Sequence, residues 1–360
     1  MSATSVTLSP MAGEAPLPPQ PRVTVFVPAY NEAEAITPCL DSLLAQSYPG
    51  ELTEVLVVDG RSSDGTVGVV TEYVREHQAA LAARGLTVRV VDNPEQSLAA
   101  AWNLAAAAAT GDIIAFVSAH SHVLADYLGL AVRHLQEGSA HVVGGPCRMV
   151  GATTVGRAIA AAMSSPFGVG PSLHRFAGDV PDIASVANAV YPLAVLRQHL
   201  PFDEDIGKGE DWEMHYRMRQ AGVRLAQHAD MAYEYHARPT LRGLWRQQWS
   251  YAQAKVNIMR KHSRRAARLT HFVPLGLVLF TLGGGIGAAA VPALRPVWGV
   301  GAGLYLFGNV LSSIWAARRH GWATLPLLPW AFICMHFAYG LGMLWQLVGG
   351  PRRPQPQSVS

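Results

Sequence analysis

After Glu234 the chain carries no Asp or Glu at all, and within that acid-free part lie three stretches without charge: Leu269–Leu294, Pro296–Ala317 and Gly321–Gly350. Each exceeds the roughly 20 apolar residues that take a helix across a bilayer core. A helix of that length in water shows a polar face, so burial of these stretches in a soluble domain is disfavoured. Pro274 and the run Gly283-Gly284-Gly285 spoil the first stretch as an ideal helix, which membrane helices tolerate better than soluble ones. Half of the 360 residues are hydrophobic, only 15% are charged and the mean hydropathy is +0.16, so a purely soluble protein is disfavoured. Three spans follow, over 269–350.

Basic residues orient them. Lys255, Arg260, Lys261, Arg264, Arg265 and Arg268 precede the first span, and Arg318 and Arg319 join the second to the third. The opposite side holds Arg295, Arg352 and Arg353. The positive-inside bias predicts a multi-pass protein of the cytoplasmic membrane, with its large N-terminal domain in the cytoplasm. The segment 241–268, with Trp245, Trp249 and Tyr251 among basic residues, is expected to lie on the membrane surface against lipid. Residues 1–21, rich in Pro, Ser and Ala and without the basic start and apolar core of a secretory signal, read as a disordered tail. Residues 351–360 read as a second tail.

Between the tail and the basic segment, 22–240 alternates strands with helices. Val23–Pro28, Glu54–Asp59, Val88–Val91 and Asp112–Val117 are apolar runs of strand length. Helices are predicted around Ile36–Leu44 and Leu98–Ala109. Apolar strands alternating with helices indicate an α/β fold, a mostly parallel sheet covered on both faces. Ligands of such sheets bind at the carboxyl ends of the strands, which places Pro28-Ala29-Tyr30, Asp59 and Ser118-Ala119-His120 along one edge. No Gly-x-Gly-x-x-Gly follows the first strand and no phosphate-loop lysine motif occurs, which disfavours dinucleotide and nucleoside-triphosphate folds. An aspartate at a strand end, such as Asp59, serves either a ribose or base, or simply caps a turn. A net charge of +3 is too small to indicate nucleic acid. Cys39, Cys147 and Cys334 are widely spaced and lack zinc-ligand spacing, so they read as buried thiols.

The most suggestive stretch outside the strands is Gly207-Lys208-Gly209-Glu210-Asp211-Trp212-Glu213, opening a helix that runs to Gln220 and stops at Gly222. Asp211 shares a face with Met214, His215 and Met218, which puts a carboxylate at the head of the inward stripe. Taken alone, the acidic pair equally answers the helix dipole.

Three segments in order resemble the opening of family 2 glycosyltransferases: Val27-Pro28-Ala29-Tyr30-Asn31-Glu32, Ser42–Pro49 and Val57–Thr66. Gly207–Gly222 resembles that family's Glu-Asp motif. Leu244–Tyr251, inside the stretch Pro239–Lys255, is similar to the membrane-proximal Arg-Gln segment of the branch that builds bacterial exopolysaccharides such as succinoglycan. The resemblance covers roughly residues 22–260. It implies a GT-A-type, Rossmann-like domain, a nucleotide-diphosphate sugar as donor, expected to be a UDP-sugar, and inversion at the anomeric carbon.

By the same resemblance Pro28, Tyr30 and Glu32 border the nucleobase and ribose, Asp59 bonds one of them, and Arg246 and Gln247 close over the diphosphate. The family's Asp-x-Asp metal motif falls on Ser118-Ala119-His120. His120 remains a candidate ligand for Mn²⁺ or Mg²⁺, whereas Ser118 replaces a carboxylate and is left to bond ribose or diphosphate. Asp211 is the expected general base with Glu210 beside it, the burial next to Trp212 raising its proton affinity. Lys208 is either a diphosphate contact or a solvated lysine. His174, Arg175, Asp179 and Asp182 fall in a loop region, Ser164–Ala189, expected to receive the acceptor. The function expected is sugar transfer to a lipid-linked or nascent polysaccharide acceptor at the cytoplasmic membrane face. The alternative, which Ser118 favours, is a catalytically weakened glycosyltransferase-like membrane subunit that scaffolds polysaccharide assembly.

Overall fold

The structure is a computed structural model and describes residues 16–170, 178–262 and 268–350. Most of the N-terminal tail, the C-terminal tail, His174, Arg175, Arg264, Arg265, Arg352 and Arg353 lie outside the described residues. The chain forms two compact units. One runs through Arg148 and resumes over Phe176–Tyr235; the other combines Met149–Arg175 with His236–Pro354.

The first unit is built on strands β1 (Val23–Ala29), β2 (Thr53–Asp59), β3 (Thr87–Asp92), β4 (Ile113–Phe116), β5 (Ser121–Val123), β6 (Val142–Gly144), β7 (Cys147–Val150, where the unit ends), β8 (Val190–Pro192), β9 (Leu225–Gln227) and β10 (Tyr233–His236). The main sheet has the order β3-β2-β1-β4-β8-β6-β9. β1 pairs in parallel with β2, from Val23↔Thr53 to Ala29↔Asp59, and with β4 on its other side; β8 runs antiparallel to β4 and β6. The mostly parallel sheet is as expected.

Period-2 side chains fill both faces. Phe26, Leu56, Val58, Ile114 and Tyr191 share one core with Trp102, Met214 and Met218, while Val25, Val27, Val55 and Val57 are buried on the other face. β3 departs from the expectation of strands covered on both faces. It is the edge strand, and Thr87, Arg89, Val90 and Asp92 are exposed because no strand lies beyond it. Ser97 caps the Leu98–Ala108 helix by accepting the amide of Ala100 at 3.0 Å. Within the expected tail, Pro21 accepts the Tyr48 hydroxyl at 2.6 Å and Pro18 the Gln136 amide at 2.8 Å.

The second unit holds the apolar helices. Among the described residues, three are long and apolar enough to cross a membrane: Leu269–Ala290, Pro292–His320 and Leu328–Val348. The first contains a π turn, Leu279–Gly283, at the glycine run that marked it as irregular. The disturbed backbone is matched locally, since Trp298 Nε1 donates to the Thr281 carbonyl at 3.0 Å. The basic segment forms one helix, Leu241–His262, that packs Ala252, Val256 and Met259 against Met343. Gly342 permits the approach, since a Cβ there would stand 2.9 Å from the Trp249 carbonyl oxygen.

A domain boundary at 240 does not separate the units. Met149–Arg175 groups with the C-terminal helices because the Thr154–Met163 helix buries Ile159 through Met163, and Phe167 packs edge-on against Phe332 at 5.1 Å. His336 Nε2 reaches the Phe167 carbonyl at 2.8 Å and its Nδ1 reaches the Tyr305 hydroxyl at 3.1 Å, closing a polar contact among apolar helices.

Candidate active site

Within the first unit, β1 lies between β2 and β4, so the crossovers after β1 and β4 diverge and leave a crevice at the carboxyl ends of these strands. Two loops there are laced together. Asn31 donates its amide to Ser62 Oγ at 2.9 Å, Glu32 to Thr66 Oγ1 at 2.9 Å and Ala33 to Asp64 Oδ2 at 3.0 Å. In return Asn31 Oδ1 accepts the Ser63 amide at 2.9 Å. Asn31 and Arg61 both hold positive φ, 56° and 58°, which non-glycine residues adopt only where neighbours over-determine them. Gly60 lies against Tyr30, where a Cβ would come within 3.2 Å of the ring.

Asp59 is buried, and both its oxygens accept from Ser62, the amide at 2.9 Å and the hydroxyl at 2.6 Å. Its observed work is to shape the second loop. Asp64 is held below the usual carboxylate range: desolvation opposes this, and hydrogen bonds from Thr66 and the Ala33 amide outweigh it.

Across the crevice, past the end of β4, His120 stands between two partners. Nδ1 is 3.1 Å from Glu32 Oε1, and Nε2 is 3.2 Å from Ser118 Oγ. Ser118, His120 and Glu32, predicted for different parts of the donor, thus meet at one point. Tyr235, on β10, packs edge-on against the imidazole at 4.8 Å. Cys39, beneath, is pushed up to about 12 by burial and then by the charge of Glu32, so it is an inert thiol. An imidazole nitrogen and a carboxylate form a donor pair that fits Mn²⁺ better than Mg²⁺.

The Glu210–Gln220 helix begins after Gly209, whose φ of 100° turns the chain into it. Met214, His215 and Met218 face inward as expected. The burial expected for Asp211 falls instead on its neighbours: Glu210 and Glu213 are 5% and 1% exposed, and Asp211 is half-buried. Glu213 can be buried because Arg217 pairs with it at 2.6 Å, one turn on. Glu210 accepts the Gly209 amide at 2.9 Å, and its carboxyl is pushed up to about 8, first by burial and then by the charge of Asp211. Glu210 therefore holds its proton at neutral pH, leaving Asp211 as the member of the pair that meets solvent.

This has a stability consequence. Between its ordinary value of 4.5 and about 8 the folded chain holds a proton on Glu210 that the unfolded chain releases, so stability falls as pH rises through that window. Denaturation midpoints measured from pH 5 to 9 are expected to show this fall, and Glu210→Gln should flatten it. An unchanged slope in the variant would remove Glu210 as its origin.

Sequence reasoning missed what anchors this helix. His215 bonds Ser185 Oγ through Nδ1 at 2.8 Å and the Tyr191 hydroxyl through Nε2 at 2.6 Å. Burial drives the imidazole down to about 3, so it is neutral and its one donor and one acceptor match the two hydroxyls. Tyr191 is on β8, antiparallel to β4, so the approach to β8 stands at the same edge as Ser118, and Asp211 is one turn from His215. Trp212 and Tyr216 stack on the helix, 5.9 Å apart. Helical spacing to Asp211 had singled out His215 only as an inward residue; Ser185, Tyr191 and Tyr235 carried no sequence signal.

Asp179 accepts the Ala229 amide at 2.8 Å and Asp182 pairs with Arg219, so both have structural partners in the loop region. Arg246 and Gln247 lie in the second unit, on the Leu241–His262 helix. Arg246 is exposed, and Gln247 is buried with its Nε2 3.3 Å from the Tyr251 hydroxyl.

Known proteins resemble the chain in sequence and in fold. The family model described as glycosyl transferase family 2 matches residues 24–198. The chain is 28% identical over 332 residues to the succinoglycan biosynthesis protein ExoA of Rhizobium meliloti, spanning 91% of this chain and 96% of that protein. It is 24% identical over 245 residues, 66% of this chain and 74% of the relative, to a dolichyl N-acetyl-alpha-D-glucosaminyl phosphate 3-beta-D-2,3-diacetamido-2,3-dideoxy-beta-D-glucuronosyltransferase of Methanococcus voltae. Among solved structures, the mannosyltransferase PcManGT of Pyrobaculum calidifontis, in complex with GDP-Man and Mn²⁺, superposes with a TM-score of 0.59 at 23% identity, over 92% of this chain and 90% of that one, a likeness of fold. Residues 24–198 thus match glycosyl transferase family 2, in a chain that is similar to named glycosyltransferases and whose GT-A-like α/β domain is followed by helices apolar enough to span a membrane.

Proposed function

We propose that this protein is an inverting glycosyltransferase. It moves a sugar from a nucleotide-diphosphate sugar to a lipid-linked or nascent polysaccharide acceptor at the cytoplasmic face of the membrane. The observation that carries the reading is the crevice at the carboxyl edge of β1, β2 and β4. There the Asn31–Ala33 and Ser62–Thr66 loops are laced together, which supports reading them as a donor cradle, and Asp211 is assigned as the base on the helix that His215 ties to Tyr191 of β8. The acceptor class is supported by the relatives: one is named for succinoglycan biosynthesis and another for transfer to a dolichyl-linked sugar phosphate. Three helices long and apolar enough to cross a membrane support a lipid-linked acceptor, since they would hold enzyme and lipid at one surface.

In the reaction an acceptor hydroxyl attacks the anomeric carbon while the bond from that carbon to the diphosphate oxygen breaks. The hydroxyl proton passes to Asp211, and the electron pair leaves with the nucleoside diphosphate. Protonated Glu210 keeps the pair at a single negative charge and does not compete for the acceptor proton. Pro28, Tyr30, Glu32 and Asp59 border the donor, whose negative charge the pinned backbone helps to orient. His120 would hold a divalent ion, which would supply positive charge to offset that of the departing diphosphate. Arg246 and Gln247 are assigned to the diphosphate by family resemblance.

A binding and hydrolysis screen across UDP-, GDP- and dTDP-sugars, with detergent-solubilised full-length protein, tests this reading. One donor is expected to bind at least about tenfold more tightly than the rest and to be turned over. Binding without turnover in the presence of acceptor lipid would favour the scaffold subunit. No binding by any donor would end the donor reading.

A further inference from the structure

We infer that Glu32 supplies the carboxylate that Ser118 lacks, so that Glu32 and His120 together form the divalent-cation site for the donor diphosphate, with Ser118 orienting the imidazole. The inference deepens the donor reading above and rests on it.

The distances lead there. Glu32 Oε1 and His120 Nδ1 are 3.1 Å apart. Adjacent ligands of an octahedral ion, each about 2.1 Å from it at a right angle, stand about 3 Å from one another. An ion can therefore replace the proton between these two atoms without the loops moving apart. Ser118 Oγ meets the other ring nitrogen at 3.2 Å. A metal-bound histidine characteristically donates its second ring N–H to an acceptor that fixes its tautomer and orientation, and a hydroxyl suits that duty although it is a poor ligand. The serine that breaks the Asp-x-Asp pattern thus has work that an aspartate is not needed for.

The rest of the site restrains both ligands. The amides on either side of Glu32 and its own are tied to Ser62, Thr66 and Asp64, so the carboxylate projects from a fixed backbone. Tyr235 closes one edge of the imidazole. The Glu32 and His120 side chains remain 14% and 21% exposed, which leaves room for phosphate oxygens and water around an ion. One carboxylate and a neutral imidazole leave a divalent ion with a net positive charge, so the diphosphate becomes a necessary part of the site. Metal and nucleotide should then bind with strong mutual dependence.

Full-length protein in detergent is titrated with Mn²⁺, alone and with UDP, GDP or dTDP, and bound ion is followed by electron paramagnetic resonance. Nucleotide is expected to tighten Mn²⁺ binding, and pulsed spectra should show nitrogen coupling from one imidazole that disappears in His120→Ala. At saturating nucleotide, Glu32→Gln should weaken Mn²⁺ binding in the ternary complex by about tenfold or more, while its circular-dichroism spectrum matches that of the parent. The matching spectrum reports that the variant is folded. If nucleotide binds but Mn²⁺ does not, or binds equally well in Glu32→Gln, the assignment of Glu32 is overturned while the donor reading stands. If none of UDP, GDP and dTDP binds in any form, the donor reading falls and the metal site with it.

Discussion

Asp211→Asn is expected to lower kcat for sugar transfer by about two to four orders of magnitude, the range over which a positioned general base contributes. The change is nearly isosteric, and the new amide oxygen can still accept the Trp212 amide that Asp211 Oδ1 accepts at 2.6 Å. The helix start should therefore survive, and donor affinity measured by calorimetry should change less than about twofold, because the base acts on the acceptor. Turnover retained within a few-fold would remove Asp211 from this role. Glu210→Gln provides the contrast. Glu210 is buried and protonated near neutral pH, so the neutral amide mimics its working form and the rate should fall by less than about tenfold. Equal losses in the two variants would mean that the acidic pair acts as one unit.

Trp102→Ala carries the largest expected loss of stability, about 3–5 kcal/mol. The indole is 2% exposed and lies at the centre of an aromatic cluster. It stacks on Phe202 at 4.7 Å and Phe116 at 5.3 Å, and meets Phe26 and Tyr191 edge-on at 4.7 and 5.6 Å. Truncation opens a cavity beside β1, β4 and β8 and removes support from Tyr191, which holds His215 and through it the helix that carries Asp211. Trp102→Phe should cost less than truncation, since it keeps the ring packing and removes an indole N–H that is buried without a partner. Urea titration of the solubilised protein followed by tryptophan emission checks the order. A loss under about 1 kcal/mol for Trp102→Ala would show that the cluster can close around the gap.

The two variants also show where sequence reading reaches and where it stops. The carboxyl-edge residues Pro28, Tyr30, Glu32, Asp59, Ser118 and His120 were legible because each follows an apolar strand, and strand direction places them all at one edge. The helix carrying Asp211 was legible from its Gly boundaries and its inward stripe. Trp102 was hidden in an alanine-rich helix whose pattern says that it is buried but not against what. β6, β8 and β9 are three residues each, too short for a period to show, and β8 carries Tyr191. The raised carboxyl was expected of Asp211 from its place on the stripe. Burial selected Glu210, because a helix start packed on a core buries the residue nearest the turn, whichever position the stripe favours.

By itself the sequence determined the alternation of strand and helix, three apolar spans with an acid-free flank, and an acidic pair at a helix start. These are periodic or compositional properties, set by local geometry and by the solvent each segment must face. Only the tertiary structure decided partnership. It joined Glu32 to His120 across 88 residues, set Ser118 on the far side of that ring, tied His215 to Tyr191, and drew Met149–Arg175 in with the C-terminal helices. The physical reason is that hydrogen bonds and ring contacts depend on ångström distances fixed by the packing of the whole unit. Spacing along the chain does not encode those distances.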